Sequence, residues 1–167
     1  MKLMLLISLY FHLLVPDLMV YRKLLDTSLE NKKAANQFYK QFSKVQAHDE
    51  PLLVGFKAMS EFMMSKHLIN PMSKYSHFNK GRDLLENAIK RDGNSVELLF
   101  FRLTLQSTVP SFLGYHDHIS DDKQNLIFYL KAAKKQDADK VLYERIKTYL
   151  LINKYCSTEE KILIKSL

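Results

Sequence analysis

Cysteine, glycine and proline are all scarce in this sequence. Its 167 residues include one cysteine, four glycines and four prolines. A single cysteine, Cys156, excludes an intramolecular disulfide framework and a thiolate-rich zinc site. It leaves the compartment open, because exported proteins without disulfides are common. Turns draw heavily on glycine and proline, so their scarcity argues against a β-protein and for long helices. Catalytic signatures are missing too. There is no nucleophile elbow, phosphate loop, HExxH pattern or Ser/His/Asp grouping, and no RNA-binding or helix-turn-helix signature.

What is present suits a globular helical chain. The length fits one domain with a real core, and a hydrophobic content of 47% is ordinary for one. The net charge is +7. Lys and Arg are mixed with Asp and Glu along the chain, and Lys131, Lys134 and Lys135 share one helical face. Scattered charge of this kind is a solvated surface. It supports weak, salt-sensitive attraction to acidic partners, and no nucleic-acid partner is expected.

The start of the chain, MKLMLLISLYFHLLV, places one lysine before an apolar stretch from Leu3 to Val15. That is long enough for the core of a signal peptide and short for a membrane span. His12 interrupts it, Pro16-Asp17 follows directly, and the small residues of a cleavage site are missing. A signal peptide, a buried first helix and a membrane-attached anchor all fit, and the first is the leading expectation. Residues 1–16 then form the apolar leader and 17–167 a single helical-repeat domain. Any membrane contact runs through residues 3–15, if they stay uncleaved.

Helical periodicity marks the rest. Leu18, Tyr21, Leu24 and Leu25 form one stripe, with a break expected at Asp26-Thr27-Ser28. Leu29, Ala35, Phe38, Tyr39, Phe42 and Val45 follow at helical spacing, and Pro51 suits the first turn of the next helix. That helix carries Leu52, Phe56, Met59 and Met63 on one face, with Gly55 and Ala58 as places for close approach. Asn70-Pro71 interrupts it. Val96, Leu99, Phe100 and Leu103 begin another helix, with Asn94 or Ser95 as its cap, ending before Pro110. Ser120 is expected to cap the helix containing Leu126, Ile127, Tyr129 and Leu130, with Asp121 and Asp122 at its positive end and a break at residues 137–139. Val141, Leu142, Ile146, Tyr149 and Leu150 follow. Ser157 and Glu160 form a capping box before a short last helix.

In the run GRDLLENAIKRDGNS, Gly81 is followed by Leu85, Ala88 and Gly93 at offsets of four, seven and twelve. This spacing resembles the second helix of a tetratricopeptide repeat. A small residue admits a neighbouring helix, a large one fills the space beside it, and a breaker ends the helix. Ala35, Tyr39 and Phe42 repeat the first two offsets loosely. Gly55 precedes Gly81 by 26 positions rather than about twelve, which implies an insertion of roughly fourteen residues in that hairpin. The resemblance implies an all-α fold of about seven helices in stacked antiparallel hairpins, which usually bind other molecules rather than transform them. Over roughly residues 51–130, Asn70-Pro71, Ser73-Lys74, Lys80-Gly81, Arg102 and the run Pro110–Tyr115 are also similar to a group of small uncharacterised exported bacterial proteins. That likeness strengthens the fold and export expectations and implies no activity.

Few side chains suggest chemistry. His116-Asp117-His118 with Asp121 and Asp122 is the one metal-like cluster, but nothing fixes a third ligand, so a polar loop and helix cap is the simpler reading and neither metal nor cofactor is expected. Tyr75, His77 and Phe78 could form an aromatic platform, though Phe78 suits a core. Met59, Met63 and Met64 suit either an adaptable groove or core filling. Arg102 lies in an apolar helix and needs a partner, Glu86 or Glu97.

The expectation is a non-catalytic binding or scaffold module for another protein or peptide, exported to the periplasm or cell envelope. The alternatives are a loop-based metal-dependent hydrolase and a basic cytoplasmic adaptor. Two long loops, residues 68–77 and 108–119, should be neighbours and present Asn70, Ser73, Lys74, Tyr75, Ser111 and Tyr115. Failing them, binding falls to the concave groove of the stack. Gly55, Gly81, Leu85, Ala88, Gly93 and Arg102 are expected to be structural.

Overall fold

Helix signals of the kinds just described account for almost every element. The structure, a computed structural model, describes residues 18–133 and 139–167; the apolar stretch at 3–15, Lys134 and Lys135 lie outside them. Among the described residues there are eight α-helices and no strand: α1 Leu18–Glu30, α2 Lys32–Gln41, α3 Pro51–His67, α4 Pro71–Arg91, α5 Val96–Thr108, α6 Ile119–Ala133, α7 Lys140–Ile152 and α8 Thr158–Ser166. A 3-10 turn at Ser111–Leu113 precedes α6.

Caps set most boundaries. The side chains of Asn31, Glu50, Asn70 and Asp139 each accept a backbone N–H in the first turn of α2, α3, α4 and α7. Pro51 and Pro71 both open helices, where a missing N–H does no harm. Ser157 and Glu160 complete the capping box of α8.

Three boundaries differ from the sequence expectation. Asp26, Thr27 and Ser28 do not break α1. Thr27 and Ser28 donate their hydroxyls to the carbonyls of Lys23 and Leu25, so the helix continues to Glu30. Residues 68–77 are not a long loop. Only Leu68, Ile69 and Asn70 connect α3 to α4, because the Asn70 cap starts a 21-residue helix that absorbs the inserted segment. Helix α6 begins at Ile119, so Ser120 lies within its first turn. At residues 137–139, Asp139 caps α7 and the other two lie outside the described residues.

Consecutive helices pack in pairs: α1 on α2, α3 on α4, α5 on α6 and α7 on α8. Between pairs, α2 meets α3, α4 meets α5, α6 meets α7, and α3 also touches α1 and α5. One core runs through the described chain, with Phe38, Phe56, Phe101, Leu85, Leu98, Leu126, Ile146 and Ile164 fully buried. Phe42 stacks on Phe56, and Phe56 meets the edge of Phe101, which carries the aromatic contact from α2 through α3 to α5. Glycine marks the closest approaches. A Cβ on Gly81 would stand 3.0 Å from the Ala58 carbonyl oxygen and from the Phe62 ring, and one on Gly55 would strike Leu98 Cδ2. Leu85 and Ala88 are wholly buried on the same helix as Gly81.

Candidate functional site

Buried charge is where an active site would announce itself, and three groups stand inside this molecule. In the first, Arg22 of α1 forks onto Glu97 at the start of α5, with Nε and Nη2 donating to the two carboxylate oxygens at 2.7 Å. Its Nη1 donates to Asp139 at 2.8 Å. Arg22 and Glu97 are only 3% and 4% exposed. The Glu97 hydrogen bond, helped by Asp139 and opposed by burial, holds the guanidinium above its ordinary range. A second fork from Arg145 of α7 onto Asp26 of α1 lies beside it. Helix α7 is thereby clasped to α1.

In the second group, Arg102 of α5 donates through Nε and Nη2 to Asp122 of α6 at 2.7 and 2.8 Å, and through Nη1 to Glu86 of α4 at 2.9 Å. Glu86 was one of its two expected partners. Glu97 is not the other, because it is turned to Arg22. Burial draws the Arg102 pKa down, but Asp122 and Glu86 outweigh it. Tyr115 donates its hydroxyl to Glu86 at 2.6 Å; burial first, then the Glu86 carboxylate, push the phenol far above its ordinary value. Gln106 accepts the His118 backbone N–H on its side-chain oxygen, and its own carbonyl lies 2.9 Å from His116 Nδ1. Of the metal-like cluster, His116 and the His118 backbone are thus tied to Gln106. Asp122 is bound to Arg102, and no group of three or more His, Cys, Asp or Glu suited to a metal occurs among the described residues.

In the third group, Glu61 of α3 is wholly buried. One oxygen is 2.6 Å from His77 Nδ1. Lys80 Nζ is 2.6 Å from the other, close enough for an ion pair though not aligned as a hydrogen bond. The edge of Tyr39 packs against His77. All three groups join helices by charge pairs and leave no acid, base and nucleophile converging on one point.

An open feature lies elsewhere. The last turns of α3, the first turns of α4, the end of α5 and the 3-10 turn surround a cleft of about 670 Å³. Met59, Phe62, Met63, Phe78 and Leu105 form its buried walls, and Leu29, Pro71, Lys74, Tyr75, Pro110 and Phe112 stand at its mouth. Phe112 is 83% exposed and Tyr75 56%. Ile69 and Met72, on either side of the Asn70-Pro71 cap, are 89% and 77% exposed.

The six residues expected on a shared surface divide. Lys74 and Tyr75, in the first turns of α4 rather than in a loop, line the same cleft as Pro110 and Phe112 of the second connection. Asn70 and Ser73 form the α4 cap, where the Asn70 side chain accepts the Ser73 N–H at 3.1 Å. Ser111 is exposed in the 3-10 turn, and its carbonyl accepts the Gly114 N–H. Tyr115 is the correction: it is 5% exposed, packed against Phe78 and bonded to Glu86. The turn at Gly114, in the left-handed region at φ 59°, carries the chain from the exposed Ser111-Phe112 to the buried Tyr115. The aromatic platform is likewise divided among exposed Tyr75, half-buried His77 and buried Phe78. The sequence left Met59 and Met63 open between an adaptable groove and core filling. Met59 and Met63 prove to be both, buried from water yet lining the opening.

No family model, no curated protein and no solved structure matches the chain.

Proposed function

We propose that this chain is a non-catalytic binding or scaffold module of stacked helical hairpins, tetratricopeptide-like in arrangement, and that its partner is a protein engaging the rim of the cleft. The observation that carries this reading is the rim itself. Phe112 and Tyr75 hold large apolar surface out to solvent at one opening, Ile69 and Met72 are exposed close to Tyr75 in sequence, and such patches mark interaction sites. The order of helix contacts supports the repeat-like arrangement, since α1 meets α3, α3 meets α5, and each second helix meets the next first helix. The pairing of the buried charges between helices supports binding over catalysis. Export to the cell envelope rests on the apolar leader.

Photo-crosslinking in the native host tests the reading. A photoreactive residue in place of Phe112 is expected to give a discrete protein adduct. One in place of Phe128, which is 72% exposed on α6, is expected to give none, and the mature chain in the adduct should begin near residues 16–20. Equal labelling from both positions, or none from Phe112, overturns the rim as a docking surface. An adduct retaining Met1 in a soluble cytoplasmic fraction overturns export.

A further inference from the structure

We propose that the cleft beneath the rim holds a long-chain carboxylate, a fatty acid, with its acyl chain between α3, α4 and α5 and its head group at Lys74. The inference rests on the binding reading above and deepens it, with the protein partner touching the rim and the acyl chain lying below.

Helical backbone closes most of the cleft, and its own ladder satisfies that backbone. The hydroxyls are occupied as well. Ser65 donates to the Lys74 carbonyl, Thr104 to the Phe101 carbonyl, and Thr108 to the carbonyls of Thr104 and Leu105. Lys66 pairs with Glu30 at 3.0 Å. Along these walls the hydroxyl protons are already committed, which leaves a polar ligand little to recognise. Met59, Phe62, Met63, Phe78 and Leu105 instead offer an apolar and deformable lining. Two polar ends remain, adjacent at the start of α4. Among the described residues no carboxylate pairs with the Lys74 ammonium, and the Tyr75 hydroxyl has no partner. An ammonium and a phenol together suit one singly charged acceptor. The volume of about 670 Å³ falls within the roughly 300–1,000 Å³ of small-molecule sites. A ligand with a long apolar body and one anionic end satisfies all of these conditions.

The probe is cis-parinarate, a fluorescent fatty acid, added to the full chain and displaced by competitors. Saturable enhancement is expected, with displacement by palmitate and about tenfold weaker displacement by its methyl ester, the ratio a lost charge-assisted contact produces. Lys74→Met should weaken palmitate about tenfold and leave the ester unchanged. Thr108→Trp, which fills the mouth of the cleft, should abolish enhancement while its thermal melt stays two-state. The proposal is overturned by any of three results: no saturable enhancement, equal loss of acid and ester in Lys74→Met, or full binding by a folded Thr108→Trp. Stronger displacement by a single-chain anionic phospholipid than by palmitate would overturn the carboxylate assignment. Rim crosslinking at Phe112 is read separately, so failure here and failure of the protein-docking reading are distinguishable.

Discussion

At the scale of single residues, the four glycines are not equivalent. Gly81 and Gly55 stand where a side chain would collide with the neighbouring helix. Gly93 meets only the Ile89 carbonyl at 3.5 Å, an ordinary contact. Gly81→Leu should therefore destabilise by roughly 1–3 kcal/mol through overpacking. Gly93→Ala should leave urea melts near the parent, since its backbone is not in the left-handed region. A Gly81→Leu melt matching the parent would place α4 further from α3 than described. Residue spacing pointed to Gly81 correctly as a place of contact, because a small residue one turn before Leu85 is a local pattern. Nothing local could indicate that Gly93 would end a helix without a left-handed turn.

Among elements, α4 is the one that most reshapes the molecule. Its residues 71–77 were expected as loop, and its start depends on the Asn70 side chain holding the Ser73 N–H. Asn70→Ala should cost about 1 kcal/mol and Asn70→Ser should restore most of it, as measured by chemical denaturation. If Asn70→Ala is instead neutral for stability, the cap does not hold the inserted turns. Helix cores were legible from Phe38, Phe42, Leu85 and Leu126 because periodicity is a local property, and so was the Ser157–Glu160 box. The continuation of α1 through Thr27 and Ser28 was not, since a hydroxyl can end a helix or bond back into it. Nor was the pairing of Arg102 with Asp122, which lies 20 residues away and depends on how α5 and α6 pack. The cleft was half legible. The Pro110–Phe112 side of its mouth lay in an expected loop, while Lys74 and Tyr75 reach it from a helix, and its walls required knowing which buried methionines border a gap.

For the whole molecule, the α1–α7 clasp is the feature with global reach. Asp139 takes part both as the α7 cap and as an Arg22 partner. Partial burial pushes its carboxyl upward, but the Leu142 N–H and Arg22 outweigh that and hold it below its ordinary value. A carboxyl depressed by folding adds stability above its unfolded pKa and loses it as pH falls through the folded one. The clasp should therefore weaken in acid, below the ordinary carboxylate value of 3.8. Asp139→Asn should show a shallower loss of stability across that acid range than the parent, in melts taken at stepped pH. Parallel curves would remove Asp139 from the acid response.

The same clasp also bears on how the chain folds. Helical hairpins form from near neighbours and are quick to assemble. Arg22 and Asp139 are separated by 117 positions, and Arg145 and Asp26 by 119. Contacts of that span must wait until the intervening hairpins are in place, because closing so long a loop earlier has little to offset its entropy. Interactions made after the rate-limiting step slow unfolding and leave the folding rate nearly unchanged. The clasp thus acts as a kinetic lock: it sets how long the folded molecule persists, and has little say in how quickly it forms.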